Sequence, residues 1–215
     1  MPYFKKNDPN VNLLFIHIPK TGGSSLELYF SSKFNIPLNN KSLFHLIKDE
    51  QLLNKHLQIN SCLQHMTYNE IDKYSETFGI DFDGIVIITI VRNPYERIIS
   101  DFFYFNLITV DSTKETVLNI LKTYMMSNNY DNHSIPQHKF ITNDKGEIIQ
   151  NQNIHILKTE SLTADMKQMG FIDFNLFENA NAHKVDCFDY LNDESIAIVN
   201  EVYHLDFVLF NYAKI

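Results

Sequence analysis

Two short stretches of this sequence concentrate side chains that can hold an anion. The first, FIHIPKTGGSSLELYF (residues 15–30), runs from apolar residues through Pro-Lys-Thr-Gly-Gly-Ser-Ser into an apolar-periodic segment, and sets two of the chain's six glycines side by side near a lysine. A strand, a glycine-bearing turn and a helix start, in that order, make an anion site, because the helix N-terminus presents unpaired N–H groups and the positive end of its dipole. Gly22 and Gly23 allow close backbone approach and positive φ. Lys20 adds a full charge, and Thr21, Ser24 and Ser25 add hydroxyl donors. The lysine precedes the glycines, so the stretch is neither G-x-x-x-x-G-K-[ST] nor G-x-G-x-x-G. The bland alternative is a strand–turn–helix junction with a surface lysine.

The second stretch, VRNPYERIISDF (residues 91–102), holds Arg92 and Arg97, the only arginines in the chain; all other cationic side chains are lysines. Arginine's planar fork takes phosphate oxygens in pairs and stays charged at any working pH, whereas lysine is a point charge. Arg92 ends the clearest strand pattern in the sequence, where open α/β sheets place their ligand crevice. Ser100, two helical turns further on, can reach the same anion if the helix packs alongside. Arg97, with Glu96 and Asp101 near it, reads as a solvated or salt-bridged helix residue.

The elements that must position these groups follow an α/β pattern. NLLFIHI (12–18) and GIVIITIV (84–91) read as buried strands, and Asn93-Pro94 breaks the second. Ser24 or Ser25 is expected to cap a helix to about Phe34. Further helices are expected over 95–107, 114–126 and 159–170, and over the C-terminal segment to about Tyr203 with Asn192 or Asp193 as cap. One or two short helices are expected in 35–60, a hairpin around Asp144-Lys145-Gly146 and a short strand at 154–157. No repeat, low-complexity tract or linker interrupts the chain, so a single domain over 1–215 is expected.

Composition narrows the function classes. With 215 residues, 44% hydrophobic and 20% charged, the chain suits one soluble globular domain. A formal charge of −8 argues against a general nucleic-acid binder. The apolar run from Val11 to Ile18 is too short for a membrane span or a secretory h-region. Cys62 and Cys187 have no CxxC spacing and read as reduced structural thiols of a cytoplasmic protein. The histidines show no H-E-x-x-H spacing and the cysteines do not cluster with them, so no metal is expected.

PKTGGSS followed some seventy residues later by VRNPYERIIS resembles the sulfotransferases that use 3′-phosphoadenosine 5′-phosphosulfate (PAPS), most closely their carbohydrate-type, family 2 branch. PQHKFITNDKGEIIQNQNIHILKTESL (136–162) is similar to that family's following segment. The resemblance covers roughly residues 12–170. It implies an α/β fold with a parallel central sheet flanked by helices and a P-loop-like strand–loop–helix for the 5′-phosphosulfate. By this resemblance Lys20, Thr21, Gly22, Gly23, Ser24 and Ser25 hold the 5′-phosphosulfate, and Arg92 and Ser100 hold the 3′-phosphate. PAPS is then a co-substrate leaving as 3′-phosphoadenosine 5′-phosphate (PAP), with no metal.

Sulfuryl transfer resembles phosphoryl transfer: an in-line displacement through a loose transition state, catalysed mainly by positioning and by preorganised charge. Lys20 can neutralise the leaving oxygen. A base for the acceptor hydroxyl is still needed, and His65, in CLQHMTYNEI, matches the family's histidine ahead of the 3′-phosphate strand; histidine titrates in a suitable range. Against it stands one histidine among nine. His17 reads as packed at the sheet's edge, Glu160 as structural, DFFYF (101–105) as core with Tyr104 able to stack on a ring, and His133 and His138 as lining a cleft. The acceptor is expected to be a carbohydrate or another small alcohol. Golgi relatives carry an N-terminal anchor and disulfides, which this sequence does not show, so a cytoplasmic enzyme is expected. Two alternatives stand beside this reading: a nucleotide-dependent kinase, for which no Walker B aspartate is evident, and a non-catalytic nucleotide-binding module of the same fold.

Overall fold

Strict alternation of apolar side chains builds the centre of the sheet. In β2 (Val11–Ile16) Leu13 and Phe15 enter one core while Leu14 and Ile16 enter another, and β3 (Val86–Val91) repeats this with Ile88 and Ile90 against Ile87 and Val91. A strand buried on both faces needs cover on both faces, which helices and turns supply. The computed structural model describes residues 1–7, 10–39, 42–43, 61–126, 130–149, 153–175 and 185–215. The helices expected in 35–60 therefore lie almost wholly outside the described residues.

Among the described residues the sheet has four strands in the order β1-β2-β3-β4, with β1 at Tyr3–Lys6 and β4 at Ile154–Lys158. β2, β3 and β4 are parallel, in registers such as Leu14↔Ile87 and Thr89↔Ile156. The expected parallel central sheet is present as β2, β3 and β4, and one edge strand adds to it: β1 runs antiparallel to β2, with Phe4 opposite Leu13. Four residues, two of them lysines, carry too little periodicity to announce a strand; pairing with β2 makes it one.

Among the described residues three apolar clusters hold the domain together. On one face of the sheet, α1 (Gly23–Phe34) brings Leu26 and Phe30, and α6 (Leu162–Gln168) brings Leu162 and Met166. On the other, Met66, Ile71, Phe140 and Ile141 cover Leu14, Ile16 and Ile87, with Ile71 supplied by α2 (Tyr68–Lys73), which precedes the short α3 (Ser75–Phe78). The third cluster joins α4 (Pro94–Tyr104), α5 (Lys114–Met126), α7 (Asp193–Val202) and α8 (His204–Leu209) through Tyr95, Phe102, Leu121, Val199 and Phe207. Each such buried side chain contributes roughly 1.5–3 kcal/mol. An exposed pair such as Lys33–Asp173 is screened by solvent and contributes little, so burial decides this fold.

Local signals set the element ends. Asn93 caps α4 by accepting from the Tyr95 amide, with Pro94 as the first helical residue, so β3 stops and α4 starts within three residues. Thr67 and Glu70 form a capping box at α2. Asn192 caps α7 through the Ser195 amide. The expected hairpin near 144–146 is present as a Thr142↔Ile148 bridge around a turn with Gly146 at φ 76°. The expected cap of α1 is corrected. Gly22, at φ 89°, is the N-cap, and Ser24 and Ser25 lie inside the first turn. No helix among the described residues is long and apolar enough to cross a membrane.

Candidate active site

Because β2 and β3 are parallel neighbours, their C-terminal ends lie at the same edge of the sheet, and the two candidate anion stretches leave from there. After Ile16 the chain turns through Lys20, at φ 66°, and Gly22, at φ 89°, into α1. Two left-handed residues so close together turn the helix start back over the strand end. Gly22 supplies the positive φ. Gly23 does something else: a Cβ there would lie 2.4 Å from the His17 ring, so this glycine is required for close approach. The Thr21 side chain is fully buried and donates to the Ile18 carbonyl at 2.8 Å, while the Thr159 hydroxyl reaches the carbonyls of Thr21 (2.7 Å) and Val91 (3.2 Å). The loop is thus pinned from within and from β4's end. Ser24 stays half-buried at the helix start and Ser25 is buried.

The Arg92 backbone is held just as firmly. The Gln137 side chain accepts from the Arg92 amide and donates to the Arg92 carbonyl, both at 2.9 Å. Gln137 is in turn fixed by Asp206 of α8, a fully buried carboxylate that accepts from the backbone amides of Gln137 and His138 and from His138 Nδ1. Glu160 accepts from the Asn93 amide at 2.8 Å and from the Tyr212 hydroxyl, which bears out its structural reading. The guanidinium itself sends Nε and Nη2 to Glu96 (3.2 Å each) and Nη1 to the Lys20 carbonyl (3.4 Å). The two stretches, far apart in sequence, therefore meet. Ser100 is half-buried on α4, one turn beyond Glu96 and one before Tyr104, on the helix face that carries both.

Arg97 is corrected from a solvated residue to a buried one, 4% exposed. Its guanidinium donates to the carbonyls of Pro19 (3.0 Å), Ile135 (3.0 Å) and His133 (2.7 Å). It ties the Lys20 loop to the 133–135 segment, a structural task that only a planar five-donor group can carry out.

The Lys20 ammonium lies 4.0 Å from the centroid of the Tyr104 ring, which stacks on His133 at 5.6 Å and 11°. Among the described residues it donates to no oxygen. Burial lowers its pKa, Arg92 pushes the same way, and Asp101 opposes them. A partly desolvated cation resting on an aromatic face gains most from an incoming anion. Tyr104's exposed ring is thus occupied on the Lys20 side; of the rest of DFFYF, Asp101 and Phe102 are buried while Phe103 and Phe105 are half-buried.

Beside this cation stands a row of three imidazoles. His65 meets His17 edge-on at 5.2 Å and His133 at 5.0 Å. Each ring hands its Nδ1 to a carboxylate: His17 to Glu27 (2.6 Å), His65 to Asp131 (2.8 Å) and His133 to Asp101 (2.6 Å). Gln64 Nε2 donates to both oxygens of Glu27. His17 is packed as expected, but it follows an interior strand and belongs to this row, not to a sheet edge. Burial lowers the His65 pKa to about 4 despite Asp131, with His17 and His133 pushing the same way, so the ring is neutral at physiological pH.

The expectation that no cysteine clusters with a histidine is corrected as well. Among the described residues one group, Cys62, His65 and Asp131, brings ligand-type atoms within 4.8 Å of one another. Burial and Asp131 push the Cys62 thiol up to about 12, so it remains S–H at neutral pH. Both cysteines are free. A groove of about 400 Å³ beside α5, lined by Leu107, Thr116, Asn119, Ile120, Thr123 and Tyr124, contains none of the motif residues.

Sequence reasoning missed Glu27, Gln64, Asp101, Asp131, Gln137 and Asp206. Acidic and amide residues are common, and nothing in their spacing points at a histidine or a backbone turn elsewhere in the chain.

An open, mostly parallel α/β sheet carries a lysine–glycine loop and an arginine turn side by side at its C-terminal edge, where sheets of this kind place their ligand crevice. The chain belongs to the sulfotransferase family: the family-2 profile, described as "Sulfotransferase family", matches residues 6–213. No curated protein and no solved structure gives a significant match.

Proposed function

We propose that this sulfotransferase takes its sulfuryl group from PAPS and delivers it to a hydroxyl of a carbohydrate or similar small alcohol, releasing PAP. The observation that carries this reading is the junction of the two anion stretches: Arg92 Nη1 reaches the Lys20 carbonyl at 3.4 Å, beside an ammonium that no described oxygen engages. A ligand with phosphates at both ends of one nucleoside fits two cationic loops on one edge. In this reading Lys20, Gly22, Gly23, Ser24 and Ser25 receive the 5′-phosphosulfate, with Thr21 bracing the loop, and Arg92 and Ser100 receive the 3′-phosphate. The single domain and the P-loop-like role of the β2–α1 turn belong to the same proposal.

His65 is the base. Its Nδ1 is taken by Asp131, its ring is neutral at pH 7, and it sits in the row that Tyr104 joins to Lys20. The acceptor proton passes to His65 as the acceptor oxygen attacks sulfur, and the S–O bond to the nucleotide breaks with its electron pair on the phosphate oxygen. Lys20 neutralises that oxygen. Removing such a cation or the base costs roughly 10²–10⁴ in rate.

Calorimetric titration with PAP, against ATP with Mg²⁺, tests the donor site on wild type, Lys20→Ala and Arg92→Ala. Binding of PAP that both substitutions weaken at least about tenfold, a loss of roughly 1.4 kcal/mol, with ATP poor, supports the reading. A preference for ATP, or indifference to Arg92, overturns it and favours a kinase.

A further inference from the structure

Asp131 and Asn132 are consecutive non-glycine residues in the left-handed region, at φ 56° and 63°. That conformation is costly even for Asp and Asn, and it persists only where surrounding bonds over-determine it. Here those bonds converge on one turn, residues 62–65. Asp131 Oδ1 accepts from the Cys62 amide at 2.5 Å, Asp131 Oδ2 from His65 Nδ1 at 2.8 Å, and Asn132 Nδ2 donates to the His65 carbonyl at 2.8 Å. The strained pair grips a single histidine by its ring and by its backbone.

We propose that Asp131 and Asn132 form a strained clamp that locks His65 in its Nδ1–H tautomer and so presents Nε2 as the nitrogen that takes the acceptor's proton. The inference deepens the reading of His65 as base and rests on it. An ionised carboxylate can only accept, so Nδ1 must carry the hydrogen and Nε2 the lone pair. Hydrogen bonds from His65 and Cys62 outweigh burial and keep the Asp131 carboxyl below its ordinary range, hence ionised at neutral pH. Among the described residues no hydrogen-bond partner takes His65 Nε2.

The groups facing His65 agree with this role. His17 approaches from the end of β2 and His133 from the segment that Arg97 anchors, each with its own Nδ1 already on a carboxylate, and Cys62 lies on the same turn as an uncharged thiol. Only Asp131 presents a charge of the sign that steadies an imidazolium directly against the ring. When Nε2 takes the hydroxyl proton, the positive charge is shared through Nδ1–H with Asp131, while the hydroxyl's electron pair forms the new O–S bond. Asp131 is a positioning residue: it touches the base, not the substrate.

The test is the tautomer, read by long-range ¹H–¹⁵N correlation on the full-length chain labelled at histidine nitrogens, with the His65 signals assigned by their loss in His65→Gln. At pH 7.5 the wild type is expected to show a protonated Nδ1 and an unprotonated Nε2. Asp131→Asn should shift that signature toward a mixture and lower PAPS turnover, with water or a panel of monosaccharides as acceptor, roughly 10²-fold while PAP affinity stays within about twofold. A wild-type His65 protonated at Nε2 overturns the clamp without recourse to any variant. Loss of turnover in His65→Gln but not in Asp131→Asn, with the tautomer unchanged, removes the clamp and leaves His65 as base; full turnover in His65→Gln removes the base itself. Turnover that disappears with a chelator and returns with Zn²⁺ also overturns the proposal, since Asp131 would then be a metal ligand.

Discussion

Gly23→Ala is the change whose consequence can be worked most directly from the geometry. The added Cβ would fall 2.4 Å from both Cδ2 and Nε2 of His17 and 2.9 Å from Cε1. A flexible side-chain end could swing away, but this ring cannot. It is 5% exposed, its Nδ1 is bound to Glu27 at 2.6 Å, and Glu27 is held at both oxygens by Gln64. Either the ring leaves that network or the first turn of α1 moves away from β2. Overpacking of this kind costs roughly 1–3 kcal/mol. For a domain of this size about 2 kcal/mol corresponds to a fall in Tm of roughly 4–8 °C. Gly22→Ala meets no atom closer than 3.9 Å and pays instead for φ 89°, about 1–2 kcal/mol. The two variants separate by a double-mutant cycle with His17→Ala, scored by urea unfolding: the coupling to Gly23→Ala should be large because truncating the ring removes the clash, while the coupling to Gly22→Ala should be near zero. If Gly23→Ala unfolds within 0.5 kcal/mol of wild type, a difference expected only of surface changes, or shows no coupling to His17, the close-approach argument fails.

Two further predictions concern charge. Glu96 occupies the Arg92 fork, a half-exposed pair worth at most about 1 kcal/mol. Glu96→Gln should therefore tighten PAP binding by up to about fivefold in calorimetry, and weaker binding would show that Glu96 orients the fork and does not compete for it. For His65, the unfolded chain takes a proton near pH 6.5 whereas the native ring resists until about 4. Between those values the unfolded state binds more protons, so the stability from a neutral His65 is complete above pH 6.5 and lost as pH falls towards 4, about 3 kcal/mol in all. Urea midpoints of wild type should fall more steeply over that window than those of His65→Gln; parallel curves would sink the assignment.

The parts of this protein legible in its sequence are those where one local segment carries the whole signal. A strand buried on both faces shows as an unbroken apolar run, which is why β2 and β3 lie close to the spans expected. The lysine–glycine loop and the arginine turn show because their chemistry depends on neighbours within a few residues, and the family follows from those two motifs. Capping by Asn192 was legible for the same reason. Local reading fails where a residue's role depends on what a distant segment brings to it. Arg92 and Arg97 are five residues apart on one motif, yet one meets Glu96 and the Lys20 carbonyl at the surface while the other is buried among three carbonyls. Gly22 and Gly23 looked alike as sources of close approach and positive φ, and the structure divides the tasks, giving positive φ to Gly22 and close approach to the His17 ring to Gly23. Each ring of the histidine row hands its Nδ1 to an acid from another part of the chain, Glu27, Asp131 or Asp101, and no sequence spacing records that these nitrogens are already taken. The chain by itself determined where a lysine–glycine turn and an arginine turn leave the sheet. Only the tertiary structure decided that Nδ1 of His65 is taken by Asp131 while Nε2 has no partner among the described residues, because burial and hydrogen-bond partners, not residue type, set a histidine's tautomer and charge.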